Sequence, residues 1–217
     1  MADRLLDGPG SLAVFDPMPT RREKLAARGV AATSATGADA LFLMVVDETQ
    51  CQQALYGPDG AAAELRLGAV VVVMSTVGPT AARRLEASLG QVGVQLVDAP
   101  VSGGVARAGS GETAAGVEAA LELVRPALDR MGSTVVTCEP AAGDAQSVKL
   151  VNQLLCGVHI TAAGEALASL GLDPAACTRP SGTGPAGSFM LDDRGARMLR
   201  VFEQCRAAHL TPRYRSP

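Results

Sequence analysis

Lys149 stands between Val148 and Leu150, inside residues 149–160 (KLVNQLLCGVHI). A lysine among apolar neighbours calls for a reason, because an unpaired ammonium is costly to bury. Burial or a nearby cation lowers its pKa, and a lysine so tuned takes up and returns a proton. Without such surroundings a helical lysine is a solvated surface charge. Asn152 follows at i+3, so on a helix both side chains reach one spot. Ser102-Gly103-Gly104 offers backbone N–H groups that a carboxylate can approach, since no Cβ blocks the glycines. The same tripeptide also reads as a plain turn. Asp16 closes an apolar stretch and precedes Pro17. A carboxylate at the end of a strand can bond a ribose 2′-OH, and Asp-Pro equally starts a turn; both readings stand. His159 reads as a packed histidine among apolar neighbours, and Glu165 as the partner of a surface charge.

These groups need elements to hold them, and the first half of the chain alternates two patterns. Strands are expected at residues 11–15 (SLAVF), 40–46 (ALFLMVV), 69–74 (AVVVVM) and 95–97. The fully apolar runs mark strands buried on both faces. Helices are expected at residues 20–28, ending at Gly29, at 48–55, and at 79–89. Such alternation implies a mostly parallel sheet with helices on its faces. Residues 102–116 are rich in Gly, Ala and Ser; a helix at 114–131 and a strand at 133–138 follow. From 145 to 170 Val148, Val151, Leu155 and Val158 recur at helical spacing. Residues 180–187 have loop composition, 200–206 could form a last helix, and 211–217 look like a tail.

A dinucleotide-binding domain places G-x-G-x-x-G between its first strand and first helix. Here Gly8-Pro9-Gly10 precedes a strand, and the looser G-x-G-x-x-A of residues 109–114 follows Val-Ala-Arg-Ala rather than a strand. Neither context suits a phosphate loop. The whole chain has 217 residues, 47% apolar and 3% aromatic, without Trp. Its core must be built of Val, Leu and Ala, which suits a buried parallel sheet. A net charge of −3 argues against a nucleic-acid or polybasic membrane surface. Five cysteines without C-x-x-C spacing fit reduced thiols in the cytoplasm or another reducing intracellular compartment better than disulfides or zinc. The N-terminus lacks the apolar region of a secretory signal, and no apolar run reaches membrane-spanning length.

Three stretches together, residues 97–104 (VDAPVSGG), 75–79 (STVGP) and 149–160, resemble the β-hydroxyacid dehydrogenases. That group contains the 3-hydroxyisobutyrate, tartronate semialdehyde and L-threonate dehydrogenases, and QLLCGVHI is most like the L-threonate branch. The resemblance runs to about residue 199 and ends with residues 187–199 (GSFMLDDRGARML). It implies an α/β fold. Residues 1–143 would form an NAD(P)-binding Rossmann-like domain, and residues 144–217 an interdomain helix with part of an all-helical domain. It implies hydride transfer between a nicotinamide and a small 3-hydroxy acid, with homo-oligomers formed through the helical part. By matched motifs, Lys149 is the catalytic lysine, Asn152 places the substrate, and Ser102, Gly103 and Gly104 bind its carboxylate. Thr76 lies near the nicotinamide, while Val45, Val46 and Gln50 contact the cofactor; the family often has Leu-Pro in place of Val45-Val46. Asp16 favours NAD, because a carboxylate repels a 2′-phosphate; nearby Arg21 and Arg22 admit NADP.

The chain also departs from that pattern. Residues 1–6 (MADRLL) align with the end of the family's first helix, so the first strand and the Gly-rich turn are expected to be lacking. The sheet would then lose a central strand, leaving two unpaired edges. Residues 111–116 (GETAAG) are shorter than the family's apolar strand there, and 165–174 are short by about one helical turn. Beyond residue 199 the ending is unlike the family and lacks a second lysine. Three expectations follow: an incomplete dehydrogenase, a non-catalytic remnant acting as an interaction or structural protein, or another kind of nucleotide-binding module.

Overall fold

The computed structural model describes residues 2–6, 8, 10–31, 34–102, 112–115, 118–132, 134–138 and 141–169. The chain divides into two compact units, Met1–Leu150 and Val151–Pro217. In the first unit the elements run α1 (Pro19–Ala26), β1 (Ala40–Leu43), α2 (Glu48–Tyr56), β2 (Val70–Val73), α3 (Pro79–Gly90), β3 (Gln95–Asp98), β4 (Val101–Ser102), β5 (Glu112–Ala115), α4 (Glu118–Met131) and β6 (Thr134–Thr137). The long helix α5 (Asp144–Ser169) begins in the first unit.

Four consecutive valines make β2, and all four are buried. Branching at Cβ favours the extended chain, and an all-apolar strand must be covered on both faces. Parallel ladders join β2 to β1 (Ala40↔Val70) and to β3 (Val70↔Gln95). The crossovers run through α2 and α3. Val71 and Val73 pack with Leu43, Cys51 and Leu55 and with Leu85 and Leu89 of α3. Val70 and Val72 face the other way, against Leu121, Val124 and Leu128 of α4. Each buried valine contributes roughly 1.5–3 kcal/mol.

Three local features set where elements stop. The strand expected over residues 40–46 ends at Leu43, because the next amides leave the ladder. Val45 N–H donates to Ser75 Oγ (2.9 Å) and Val46 N–H to Gln50 Oε1 (3.0 Å). Asp47 then caps α2, its carboxylate accepting from Gln50 N–H at 2.9 Å. Pro100 separates β3 from β4, since it has no N–H to give a ladder. A second sheet follows, with β4 antiparallel to β5 and β5 parallel to β6.

Two expectations are corrected. Residues 11–15 form no strand: a single parallel bridge joins Val14 to Ala31, and no further strand flanks that bridge or the outer edge of β1 among the described residues. A lone bridge does not hold a ladder together. The helix expected from residue 114 starts at Glu118. Ala114 and Ala115 belong to β5, where pairing with β6 overrides alanine's helical preference. The same strand includes Glu112–Ala114 of the loose glycine string. Residues 109–111 and the helix expected at 200–206 lie outside the described residues.

Candidate active site

The parallel strands β1, β2 and β3 all end at one edge of the sheet, and four of the sequence candidates, Val45, Val46, Gln50 and Thr76, follow the ends of β1 and β2. Open parallel sheets bind ligands at this carboxyl edge. After β1 come Val45, Val46 and, in the first turn of α2, Gln50. After β2 come Ser75 and half-buried Thr76. Ser75 Oγ receives Val45 N–H and lies 3.4 Å from Leu43 O, which accepts from it. The ends of β1 and β2 are thus fastened together. Gln50 serves locally, since its side-chain oxygen is taken by Val46 N–H.

Asp98 ends β3 and is fully buried. Its Oδ2 accepts from Gly143 N–H and Gln146 N–H, both at 3.0 Å, and its Oδ1 accepts from Gln146 Nε2 at 2.7 Å. Burial pushes the carboxyl pKa up, and the three hydrogen bonds to the carboxylate pull against that rise. Gln146, also fully buried, spans to the β2–α3 turn. Its Oε1 accepts Val77 N–H (2.9 Å) and Gly78 N–H (3.0 Å), and its Nε2 donates to Ser75 O (3.0 Å). Thr76 lies in the middle of that fastened turn. One helical turn beyond Gln146 comes Lys149, half-buried on α5.

Gly143 makes the join possible. Its φ is +94°, and a Cβ there would lie 2.7 Å from Pro79 O. Only glycine lets the start of α5 come this close to the start of α3.

Asp16 takes up its turn role. Its Oδ1 accepts Met18 N–H at 2.9 Å, and its Oδ2 pairs with Arg21 at 3.3 Å. Arg22 lies over Phe15, 5.9 Å from the ring centre, and donates to Pro17 O. In the second unit, Asn152 Oδ1 accepts from the Cys156 thiol at 3.9 Å. Ser102 ends β4; Gly103 and Gly104 lie outside the described residues. Sequence reasoning missed Asp98, Gln146, Ser75 and Gly143 as site-forming residues. Asp98 sits in VDAPVSGG and Gln146 three residues before Lys149, but each is satisfied by groups far away in the chain.

These residues fit a dinucleotide at two places. Asp16 with Arg21 presents a carboxylate and a guanidinium, groups suited to a ribose hydroxyl or its phosphate ester. The β1 and β2 ends present turns held fast by Ser75, Gln50 and Gln146. Among the described residues no group of His, Cys, Asp and Glu is arranged to hold a metal, and no helix is long and apolar enough to cross a membrane.

The NAD binding domain of 6-phosphogluconate dehydrogenase, as a family, matches residues 1–139. The NAD-binding domain of NADP-dependent 3-hydroxyisobutyrate dehydrogenase matches residues 143–209. L-threonate dehydrogenase of Haemophilus influenzae is 39% identical over 163 residues, which cover 71% of this chain and 54% of the relative. The 2-hydroxy-3-oxopropionate reductase of Escherichia coli is 32% identical, over 75% of this chain and 57% of the relative. The chain therefore spans about half the length of the curated relatives it matches. Among solved structures, 3-hydroxyisobutyrate dehydrogenase from Salmonella typhimurium superposes with a TM-score of 0.75 at 30% identity, covering 95% of this chain and 81% of that one. A protein solved in complex with NADP+, Psf3, superposes at 0.78 with 25% identity, covering 100% of this chain and 84% of that one. With its parallel sheet, its strand-end turns and these matches along its length, the chain belongs to the β-hydroxyacid dehydrogenase family, whose domains bind NAD(P).

Proposed function

We propose that the chain acts in NAD(P)-dependent oxidation of a small 3-hydroxy acid, with L-threonate as the first substrate to try. The observation that carries this is the fastening of the Thr76 turn to the first turn of the helix that bears Lys149. In this reading residues 1–143 hold the nucleotide, and residues 144–217 supply the helix that meets the substrate. Asp16 holds the adenosine ribose, with Arg21 and Arg22 beside it. Val45, Val46, Gln50 and Thr76 line the cofactor at the ends of β1 and β2. Ser102, Gly103, Gly104 and Asn152 orient the substrate. When bound, the oxidised nicotinamide supplies the hydride acceptor. Lys149 takes the hydroxyl proton as the neutral amine and returns it as the ammonium in the reverse direction, which balances the hydride that leaves the carbinol carbon.

Asp16 favours NAD over NADP, because a carboxylate repels a 2′-phosphate. Six exposed apolar residues of α5, from Val148 to Val158, support self-association through that helix. The free thiols Cys51, Cys138 and Cys156 support a reducing intracellular compartment. The alternative reading is a non-catalytic remnant acting as an interaction or structural protein. One experiment separates the two. Titration calorimetry measures NAD+ and NADP+ binding, and nicotinamide absorbance follows turnover of L-threonate and 3-hydroxyisobutyrate. The catalytic reading expects NAD+ binding, turnover, and a loss of about 10²–10⁴-fold in kcat for Lys149→Ala with unchanged nucleotide affinity. Nucleotide binding with no turnover of either acid favours the remnant.

A further inference from the structure

Asp98 and Gln146 are fully buried polar side chains, and proton transfer at Lys149 uses neither. Between them they join the end of β3, the β2–α3 turn and the first turn of α5. Their bonds admit one polarity. The amide oxygen of Gln146 faces two N–H donors, those of Val77 and Gly78. Its amide nitrogen faces two acceptors, Ser75 O and Asp98 Oδ1. Turning the amide over would set NH₂ against two N–H groups and oxygen against two oxygens. An unsatisfied buried group costs its full desolvation, so the pair works as a keyed joint rather than a loose polar contact. Every bond of the joint lies within the first unit.

We infer that Asp98 and Gln146 are positioning residues that lock the Thr76 turn to the Lys149 helix, so that the cofactor-side turn and the lysine move as one body. The purpose of the lock rests on the proposed dehydrogenase function; its existence rests on the bonds alone. Neither residue touches the reacting atoms. Their value lies in placement, since a misplacement of about 1 Å at a reacting centre costs roughly a hundredfold in rate.

The polarity supplies the test. Gln146→Glu sets a carboxylate oxygen against Asp98 Oδ1 and Ser75 O. Asp98→Asn sets an amide nitrogen against Gln146 Nε2. The double variant Asp98→Asn with Gln146→Glu reverses the key. The new amide nitrogen at position 98 donates to the new carboxylate at 146, and the new amide oxygen still accepts Gly143 N–H and the N–H of residue 146. The second oxygen at 146 still accepts Val77 and Gly78 N–H, and the one contact left reversed is at Ser75 O, where a carboxylate oxygen faces a carbonyl oxygen. Hydrogen exchange of the Val77 and Gly78 amides is followed without nucleotide, and NAD+ affinity is measured well below every variant's unfolding transition. Asp98→Asn is expected to speed exchange at Val77 and Gly78, which Asp98 does not touch, by about tenfold or more. Each single variant is expected to weaken NAD+ binding by a similar factor, and the double variant to bring both readouts part of the way back to the parent, clearly above the worse single.

Unchanged exchange at Val77 and Gly78 in Asp98→Asn overturns the lock, as does a double variant no better than its worse single. Lower stability with unchanged NAD+ affinity overturns the positioning role. If a single variant fails to fold, the double decides: folded, it supports the key; unfolded, it overturns it. Absence of NAD+ and NADP+ binding by the parent sinks the dehydrogenase reading instead, and the exchange arm then decides the lock by itself.

Discussion

At the scale of single residues, the site depends on positions where one atom more changes the outcome. Gly143 is such a position. Its φ of +94° lies in the left-handed region, and an added Cβ would meet Pro79 O at 2.7 Å and Pro79 Cα at 3.0 Å. Gly143→Ala is expected to cost about 2–3 kcal/mol, read as a fall in the urea midpoint. Gly90 ends α3, and nothing lies within 4 Å of a Cβ placed there. Gly90→Ala should therefore gain about 0.5 kcal/mol from helical propensity. Equal effects at the two positions would show that the close approach of α5 to Pro79 is not maintained in solution. Residue scale is also where sequence reasoning was weakest. Lys149 stood out in the sequence because it accompanies VDAPVSGG and is flanked by Val148 and Leu150; in the structure both neighbours are exposed and the lysine is half-buried. Asp98 and Gln146 did not, because their partners lie 45 to 71 residues away and no local spacing encodes such a pairing. Asp16 carried two readings, and the structure shows the turn bond to Met18 N–H.

At the scale of elements, hydrophobic pattern and capping chemistry did most of the work. The run at residues 69–74 announced β2 because four valines leave no polar face to turn outward. That logic has no purchase on Glu112–Ala115, which carries no apolar face; β5 exists because β4 and β6 pair with it. Residues 11–15 failed in the opposite way, with strand-like composition but a single bridge at Val14. Composition proposes a strand, and a neighbour decides whether it persists. Helix α2 follows local rules more closely. Asp47 caps it through Gln50 N–H at 2.9 Å, and Gln50 reaches back to Val46 N–H. Arg84 of α3 then meets Glu48 through two oxygens, at 2.6 and 2.9 Å. The cap should matter more than the ion pair, because the pair is half exposed to water. Asp47→Ala is expected to cost about 1 kcal/mol and Arg84→Ala less than about 1 kcal/mol, both by chemical denaturation. A larger loss for Arg84→Ala would mean that the contact between α2 and α3, rather than the cap, holds the end of β1 in place.

At the scale of the whole molecule, four acidic groups among the described residues share one direction of shift, and they give stability a dependence on pH. Burial raises the pKa of Asp98, of the fully buried Cys51, of Cys138 and of Tyr56. At Cys51 a bond with Ser75 opposes the rise, and the charges of Asp47 and Glu48 add to it. At Cys138 the charges of Asp98 and Asp144 add to the rise. In every case the fold disfavours the anion, so the folded chain holds these protons more tightly than the unfolded chain does. Linkage then makes stability fall as pH rises wherever the folded state binds more protons. The contribution of each group is complete below its ordinary pKa and is lost as pH climbs through its folded value. For Asp98 the decline begins above about pH 3.9, and for the thiols above about pH 8.5, with tyrosine joining near pH 10. Urea midpoints from pH 7 to 10.5 should therefore drop once pH exceeds about 8.5, under reducing conditions that keep disulfides from forming. Cys51→Ala should flatten that drop more than Cys138→Ala, because Cys51 is fully buried and Cys138 only partly so. The comparison concerns slopes, so the small cavity left by Cys51→Ala shifts the whole curve without disguising its shape. A midpoint that stays level or rises across this range would mean that the Cys51 thiolate is accommodated between Ser75 and the first turn of α2. The end of β1 would then be open to solvent, and the fastening of β1 to β2 through Ser75 could not hold as described.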